Sequence, residues 1–471
     1  MQLPATIAEC HALILKQQTL TEELMSKIMA MDARIKDLET QLNQNSQNSH
    51  RPPSSDGYRK KPMLARKPKG SKGGKPGHDG KTLKMVEKAD RYWPLYPEQC
   101  SCGASLKGED MALQARRQVF DLPEPKLEVT EYQAYSCRCP QCHGQVVGQF
   151  PQGVYAPTQY GPRVKALTNL LYAGHHLSHQ SIGELFHDMY GYELNEGTIQ
   201  SAAQELYGQL EASELHLKEL VVQSPVVHFD ETGQRVSGKL HWLHVACTES
   251  LTYLFAHKHR GKKALESDAS ILSYYMGTAI HDCLPVYFSY LICFHGICGA
   301  HLLRELTGLQ EQGSRWAGQM HQLLMQLYEA SDKGRGKVEN LEVWVKKYNH
   351  ICKQADLEEP PPKEQGSRGR AKQTRGRNLL KRLTEHQDYI LAFAKFEDIP
   401  FTNNLAERDL RPAKIKQKVS GCFRTFAGAE RFARIRSFIS TARKQSRNVF
   451  KELVHATNGQ SFVLQLVPVD S

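Results

Sequence analysis

Two short apolar runs that each end in an aspartate restrict the fold of this chain more than anything else in it. Pro225-Val-Val-His-Phe-Asp230 and Thr278-Ala-Ile-His-Asp282 have the length and β-branched content of buried strands. A buried strand that finishes on a carboxylate must deliver it to a polar site, because an unpaired charge is not tolerated in an apolar layer. Between the two runs come strand-like stretches at 233–236, 240–247 and 251–256. The first two are separated by Ser237-Gly238-Lys239, which has hairpin turn chemistry. A helix expected over 262–272 leads into the second run.

Strands, a crossover helix and a further strand are the order of a ribonuclease-H-like α/β sheet, in which Asp230 and Asp282 would meet on adjacent strands. A third carboxylate is expected from a helix. Glu407, in Pro400-Phe-Thr-Asn403-Asn404-Leu-Ala-Glu407-Arg408-Asp-Leu-Arg411-Pro412, falls in the first turn of a helix that Asn403 or Asn404 can cap. Asp409 and Glu231 compete for the same role, with Glu305 as a further substitute for Glu407. Carboxylates are hard ligands, and two magnesium (or manganese) ions about 4 Å apart can activate an attacking oxygen and neutralise a leaving one in phosphodiester chemistry. The cations Arg408, Arg411, Lys414, Lys416, Lys418 and Arg424 form an expected basic ridge suited to phosphates.

The chain has 471 residues, more than one hydrophobic core usually serves, so several folded units are expected. Lys and Arg outnumber Asp and Glu by 61 to 50, which suits a polyanionic partner. In 1–48, Leu24, Met31 and Leu38 share one heptad register and Ile28, Ile35 and Leu42 the other. This reads as a coiled coil that would make a homodimer, or as an amphipathic helix packed on its own protein. A basic linker follows over 49–90. Five of the 12 cysteines lie between Cys100 and Cys142, with strand-like stretches around Val119 and Val129, and 91–155 reads as a zinc ribbon. Cys100, Cys102, Cys139 and Cys142 are the favoured Zn ligands, with Cys137 spare.

Segment 156–222 reads as helices of helix-turn-helix type. Ser181 and Asn195 stand as N-caps, and Thr198, Gln200 and Ser201 begin the second helix. The catalytic core is expected over 223–308 and 397–450, split by a helical insertion over 309–396 and followed by a tail at 451–471. The Pro- and Arg-rich end of the insertion, 360–377, reads equally as a DNA contact or a solvated loop. No signal peptide or membrane span is legible, so a soluble cytoplasmic protein with no membrane partner is expected. The fold class is multidomain α+β.

With these strings in place, the chain resembles the insertion-sequence-66 family of bacterial transposases over nearly its whole length. The resemblance rests on the order of segments and on His281-Asp282 with Tyr287-Phe288. It rests also on Cys298-Gly-Ala-His301-Leu-Leu-Arg304, Asn403-Asn404-Leu-Ala-Glu407-Arg408 and Lys416-Gln-Lys418-Val-Ser-Gly-Cys-Phe-Arg424. It implies a DDE-type enzyme that cleaves the ends of an insertion sequence and joins them to target DNA. Asp230, Asp282 and Glu407 would then be metal ligands, with His301 and Arg304 auxiliary. It further implies DNA as partner, a place at the bacterial nucleoid and accessory proteins encoded by the same element. A catalytically inactive DNA-binding relative or repressor and a structure-specific nuclease of the same fold are the rival functions.

Overall fold

The computed structural model describes residues 6–44, 48, 83–334, 336–361 and 373–460. The expected basic linker lies mostly outside the described residues, as do 362–372 of the Arg-rich loop and the last 11 residues of the tail. The chain divides into two compact units. One comprises Met1–Gly57, Phe150–His187 and Tyr192–Ser471, the other Tyr58–Gln149 with Asp188–Gly191.

The first helix, α1 (Ile7–Asn43), carries Leu24, Ile28, Met31, Ile35, Leu38 and Leu42, all of which stay exposed in the single chain. In the smaller unit a hairpin, β1 (Ser136–Arg138) and β2 (Gln145–Val147), pairs antiparallel with Cys137 opposite Val146. The strands expected around Val119 and Val129 do not form. Both side chains are exposed, and β-propensity alone holds no strand where no neighbour packs against it.

In the larger unit α2 (Pro162–Asn169) starts with Pro162 in its first turn and runs into a π-helical turn, Leu170–Gly174. Then come α3 (His179–Tyr190), α4 (Glu196–Gln209) and α5 (Glu211–Gln223). Asn195 caps α4 as expected, its side chain accepting from Thr198 N at 2.8 Å. The cap of α3 is Ser178 rather than Ser181: Ser178 Oγ accepts the Ser181 N–H at 3.0 Å, which leaves Ser181 inside the first turn.

The sheet contains β3 (Val226–Val236), β4 (Lys239–Cys247), β5 (Thr252–His257), β6 (Thr278–His281) and β7 (Phe294–Ile297). Its strand order is β5-β4-β3-β6-β7, antiparallel from β3 to β5 and parallel from β3 to β7. The two runs expected on either side of Asp230 are one strand of 11 residues, because β4 pairs with it along its whole outer half. Ser237 and Gly238 turn the hairpin with φ of 48° and 77°, the left-handed geometry of a type I′ turn. The crossover helix is shorter than expected: α6 spans only Lys262–Leu265.

Past the sheet, α7 (Gly299–Gln310), α8 (Arg315–Ala330), α9 (Leu341–Glu358), α10 (Arg375–Glu385), α11 (Gln387–Ile390) and α12 (Ala392–Lys395) share one core around Trp316, Met320, Leu324 and Tyr348. Leu302 and Leu306 of α7 and Phe401 belong to the same core, so the helical insertion is continuous with the segment leading to Glu407. Next come α13 (Asn404–Ser420), α14 (Phe426–Lys444) and α15 (Val449–Thr457). α14 covers β5: Ser437 Oγ accepts the Leu254 N–H at 2.8 Å and Thr441 Oγ1 the Thr252 N–H at 3.0 Å. These hydroxyls occupy donors that an edge strand would otherwise offer to another chain.

Candidate active site

The alternation of β3 decides which carboxylates meet. Val227 and Phe229 point into the core beneath α5, so His228 and Asp230 point to the opposite face, where α13 begins. The parallel ladder pairs His228 with Ile280 and stops there, so Asp230 and Asp282 stand two residues beyond its end, one within β3 and the other just past β6. Glu407 occupies the first turn of α13, its N–H donating to the Asn403 carbonyl at 3.3 Å.

The acids are near enough to feel one another's charge. Burial pushes the Asp230 carboxyl well above the usual carboxylate range, and the negative charges of Glu231, Asp282 and Glu407 push it the same way. The Glu231 N–H, donating to Asp230 Oδ1 at 2.8 Å, opposes this. Asp282 Oδ1 accepts from Leu284 N at 2.9 Å, which fixes its carboxylate. His301 Nε2 and Arg304 NH2 of α7 lie 3.7 and 3.8 Å from Glu407 Oε1. Among the described residues no three or more His, Cys, Asp or Glu side chains are drawn together as tightly as one metal ion requires. Asp230, Asp282 and Glu407 therefore share a field without forming a closed cage.

The competing acids are occupied elsewhere. Glu231 lies on the Phe229 face of β3, where Arg260 Nε and Tyr287 OH each donate to it at 2.7 Å. Asp409 accepts from Lys444 Nζ at 2.6 Å and Thr252 Oγ1 at 2.7 Å. Glu305 is paired with Arg382. Each of the three therefore has a cation of its own away from Glu407.

The basic ridge keeps only part of its membership. Arg408, Arg411 and Lys418 are exposed on α13, and Arg424 is exposed with Glu196 Oε2 3.7 Å away. Lys414 Nζ donates to the Gly233 carbonyl at 2.8 Å and is half-buried. Lys416 is a correction: it is only 6% exposed, with Nζ 4.2 Å from the ring centroid of Tyr172, 5.4 Å from that of Phe423 and 5.7 Å from that of Phe432. Sequence spacing could not show this, because the cage is closed only when Tyr172 of the π-turn and Phe432 of α14 meet Phe423 of the α13–α14 connection around the ammonium. Burial lowers its ammonium pKa to about 8.

Asn403, expected as a cap, is not one through its side chain. Its amide turns to β3 instead: Nδ2 donates to the Phe229 carbonyl and Oδ1 faces His228 Nδ1, each at 2.8 Å. Its backbone N–H lies 3.1 Å from Cys298 Sγ. In the sequence only an Asn directly before the helix hints at this.

In the smaller unit the cysteines sit at two turns. Gln99 bridges Ser105 around Cys100 and Cys102, and the β1–β2 hairpin frames Cys139 and Cys142. The Cys102 N–H and thiol lower the pKa of Cys100, and the Cys142 and Gln141 N–H groups with the Cys142 thiol lower that of Cys139. Cys137 stands in β1 rather than in the turn. The donor pairs suit a thiophilic ion, one pair per turn.

The sequence profile of the Transposase IS66 family matches residues 157–431, more than half of the 471-residue chain and the whole span from Asp230 to Glu407. The chain belongs to the IS66 transposase family. The profile of the zinc-finger binding domain of transposase IS66 matches residues 97–143, which hold all five clustered cysteines. A family of unknown function, DUF6444, matches residues 5–84. No curated protein matches the chain. Membership makes this a transposase-type enzyme and implies DNA as its partner, and the zinc-finger match points to structural zinc in the smaller unit. Among the described residues no helix is long and apolar enough to cross a membrane.

Proposed function

We propose that this IS66-family transposase is a DDE enzyme that cleaves the ends of its element and joins them to target DNA, with Asp230, Asp282 and Glu407 as metal ligands. The observation that carries the reading is the shared field of these acids at the place where the β3–β6 ladder ends. The strand order 5-4-3-6-7, with its antiparallel and parallel halves, supports a ribonuclease-H-like core. Magnesium or manganese, when bound, would supply activation of the attacking oxygen and charge neutralisation at the leaving one.

The chain's own residues set the geometry for that chemistry. Asp230 is held by the Glu231 N–H, and Asp282 by the Leu284 N–H. His301 and Arg304 orient Glu407 from α7 and present positive charge to a phosphate. Arg408, Arg411, Lys418 and Arg424 extend that positive surface, with Lys414 contributing through its half-buried ammonium and Lys416 excluded by its cage. Cys100, Cys102, Cys139 and Cys142 would hold zinc, and the exposed heptad of α1 would pair two copies. The α3–α4 pair, with its Asn195 cap, would read the element ends.

Incubating the full chain with element-end DNA and magnesium tests this. Nicked ends and joined product are expected. Shifted DNA without cutting would point to a binding protein only, and cutting without joining to a nuclease.

A further inference from the structure

Asn403 touches three elements that carry separate parts of the acidic centre, although no carboxylate, cation or nucleophile of its own takes part. On β3 its amide donates to the carbonyl of Phe229, the residue immediately before Asp230, and meets the ring of His228 two residues before it. On α13 its carbonyl accepts the N–H of Glu407. On α7 its N–H meets Cys298, the residue that opens the helix bearing His301 and Arg304. A second tie supports the same junction, since the Gly299 N–H donates to the Phe401 carbonyl at 2.8 Å. Asn403 is 1% exposed, so these bonds form out of competition with water.

An amide is required by the partners. The Phe229 carbonyl needs a donor, and His228 Nδ1 faces an acceptor oxygen, so one side chain must do both on adjacent atoms. His228 is buried with Nδ1 facing the amide oxygen of Asn403, an atom that can only accept, so Nδ1 is the nitrogen that donates. The position of the Phe229 carbonyl matters too. The β3–β6 ladder has ended at His228, and beyond it the amide of Asn403 takes a place that strand pairing no longer fills.

We infer that Asn403 is a positioning residue that sets the spacing of Asp230 and Glu407 for the divalent ion, by clamping β3, α13 and α7 at one point. This rests on the metal-ligand reading of those acids. Groups one shell behind the ligands commonly change metal affinity by about 10- to 100-fold when removed.

Calorimetric titration of the full chain with Mn²⁺ tests it without requiring turnover. Asn403→Ala is expected to weaken Mn²⁺ binding by about 10-fold or more while the protein still melts cooperatively and still binds element-end DNA. His228→Leu leaves Asn403 its bond to Phe229 and is expected to weaken binding less, by about 3-fold, whereas His228→Gln, which can still donate to Asn403, should lie closer to wild type than His228→Leu. Wild-type Mn²⁺ affinity in folded Asn403→Ala would overturn the inference alone. Should Asn403→Ala not fold, wild-type affinity in folded His228→Leu overturns it equally. A wild-type chain that takes up no Mn²⁺ would overturn the metal-site reading and this inference together.

Discussion

At the scale of single residues, the site is built at the expense of stability. Asp230 is buried beside three other carboxylates, and burial of like charge disfavours the folded state until a cation arrives. Asp230→Asn is therefore expected to raise the melting temperature of the metal-free protein while abolishing cleavage; a lower melting temperature would show that the carboxylate is structurally needed. Gly299 carries a different constraint. A Cβ there would clash with the Phe401 ring, so Gly299→Ala must push apart α7 and the approach to α13. Overpacking of this kind costs about 1–3 kcal/mol, and chemical denaturation would read it. An unchanged midpoint would mean that Phe401 moves freely. The strands that carry the two aspartates are legible in the sequence because short buried apolar runs have few other uses, although Asp230 falls inside β3 rather than at its end. Asn403 is not legible, because an Asn before a helix reads as a cap and its real partners lie about 175 residues away.

At the scale of elements, α13 shows what periodicity hides. Its cations read as one ridge, yet Arg408, Arg411 and Lys418 face out while Lys416 is caged by Tyr172, Phe423 and Phe432. Which face of a helix is covered depends on what packs over it, and here the π-turn, α14 and the connection carrying Phe423 supply the cover. Arg408→Ala with Arg411→Ala should weaken DNA binding and lower its salt slope by about 2, one for each phosphate that no longer meets a cation. Lys416→Met should leave both unchanged, and a reduced slope there would return Lys416 to the DNA surface. The same variant has a pH signature. The ammonium pKa is lowered from 10.5 unfolded to about 8 folded, so the unfolded chain holds more protons in that window and wild-type stability rises with pH across it. Lys416→Met should flatten that rise. The long β3 reads as two strands because Asp230 and Glu231 interrupt its apolar pattern. Its pairing with β4, which no local pattern encodes, holds it together. The helices are easier to read, since Asn195 and the stripes of α8 carry their own signals.

For the whole molecule, the division of labour follows from what each segment can bury. The sheet and its helices hold the acids, the cysteine turns of the smaller unit stay largely exposed, and α1 leaves an apolar seam uncovered. Replacing Leu24, Ile28, Met31 and Ile35 of α1 by Gln should convert a dimer to a monomer in sedimentation equilibrium. A wild-type monomer would instead place that seam against some other partner. The joining of the insertion to α7 in one core is not legible in the sequence, because it depends on contacts between elements far apart in the chain. The central claim is that Asp230, Asp282 and Glu407 act as one metal-dependent centre for DNA breakage and joining. It is tested most directly by a strand-transfer assay with magnesium on the wild type and on Asp230→Asn, Asp282→Asn and Glu407→Gln, each first shown to bind element ends. The account predicts joined product from the wild type and none from any variant; full joining by any one of the three would contradict it.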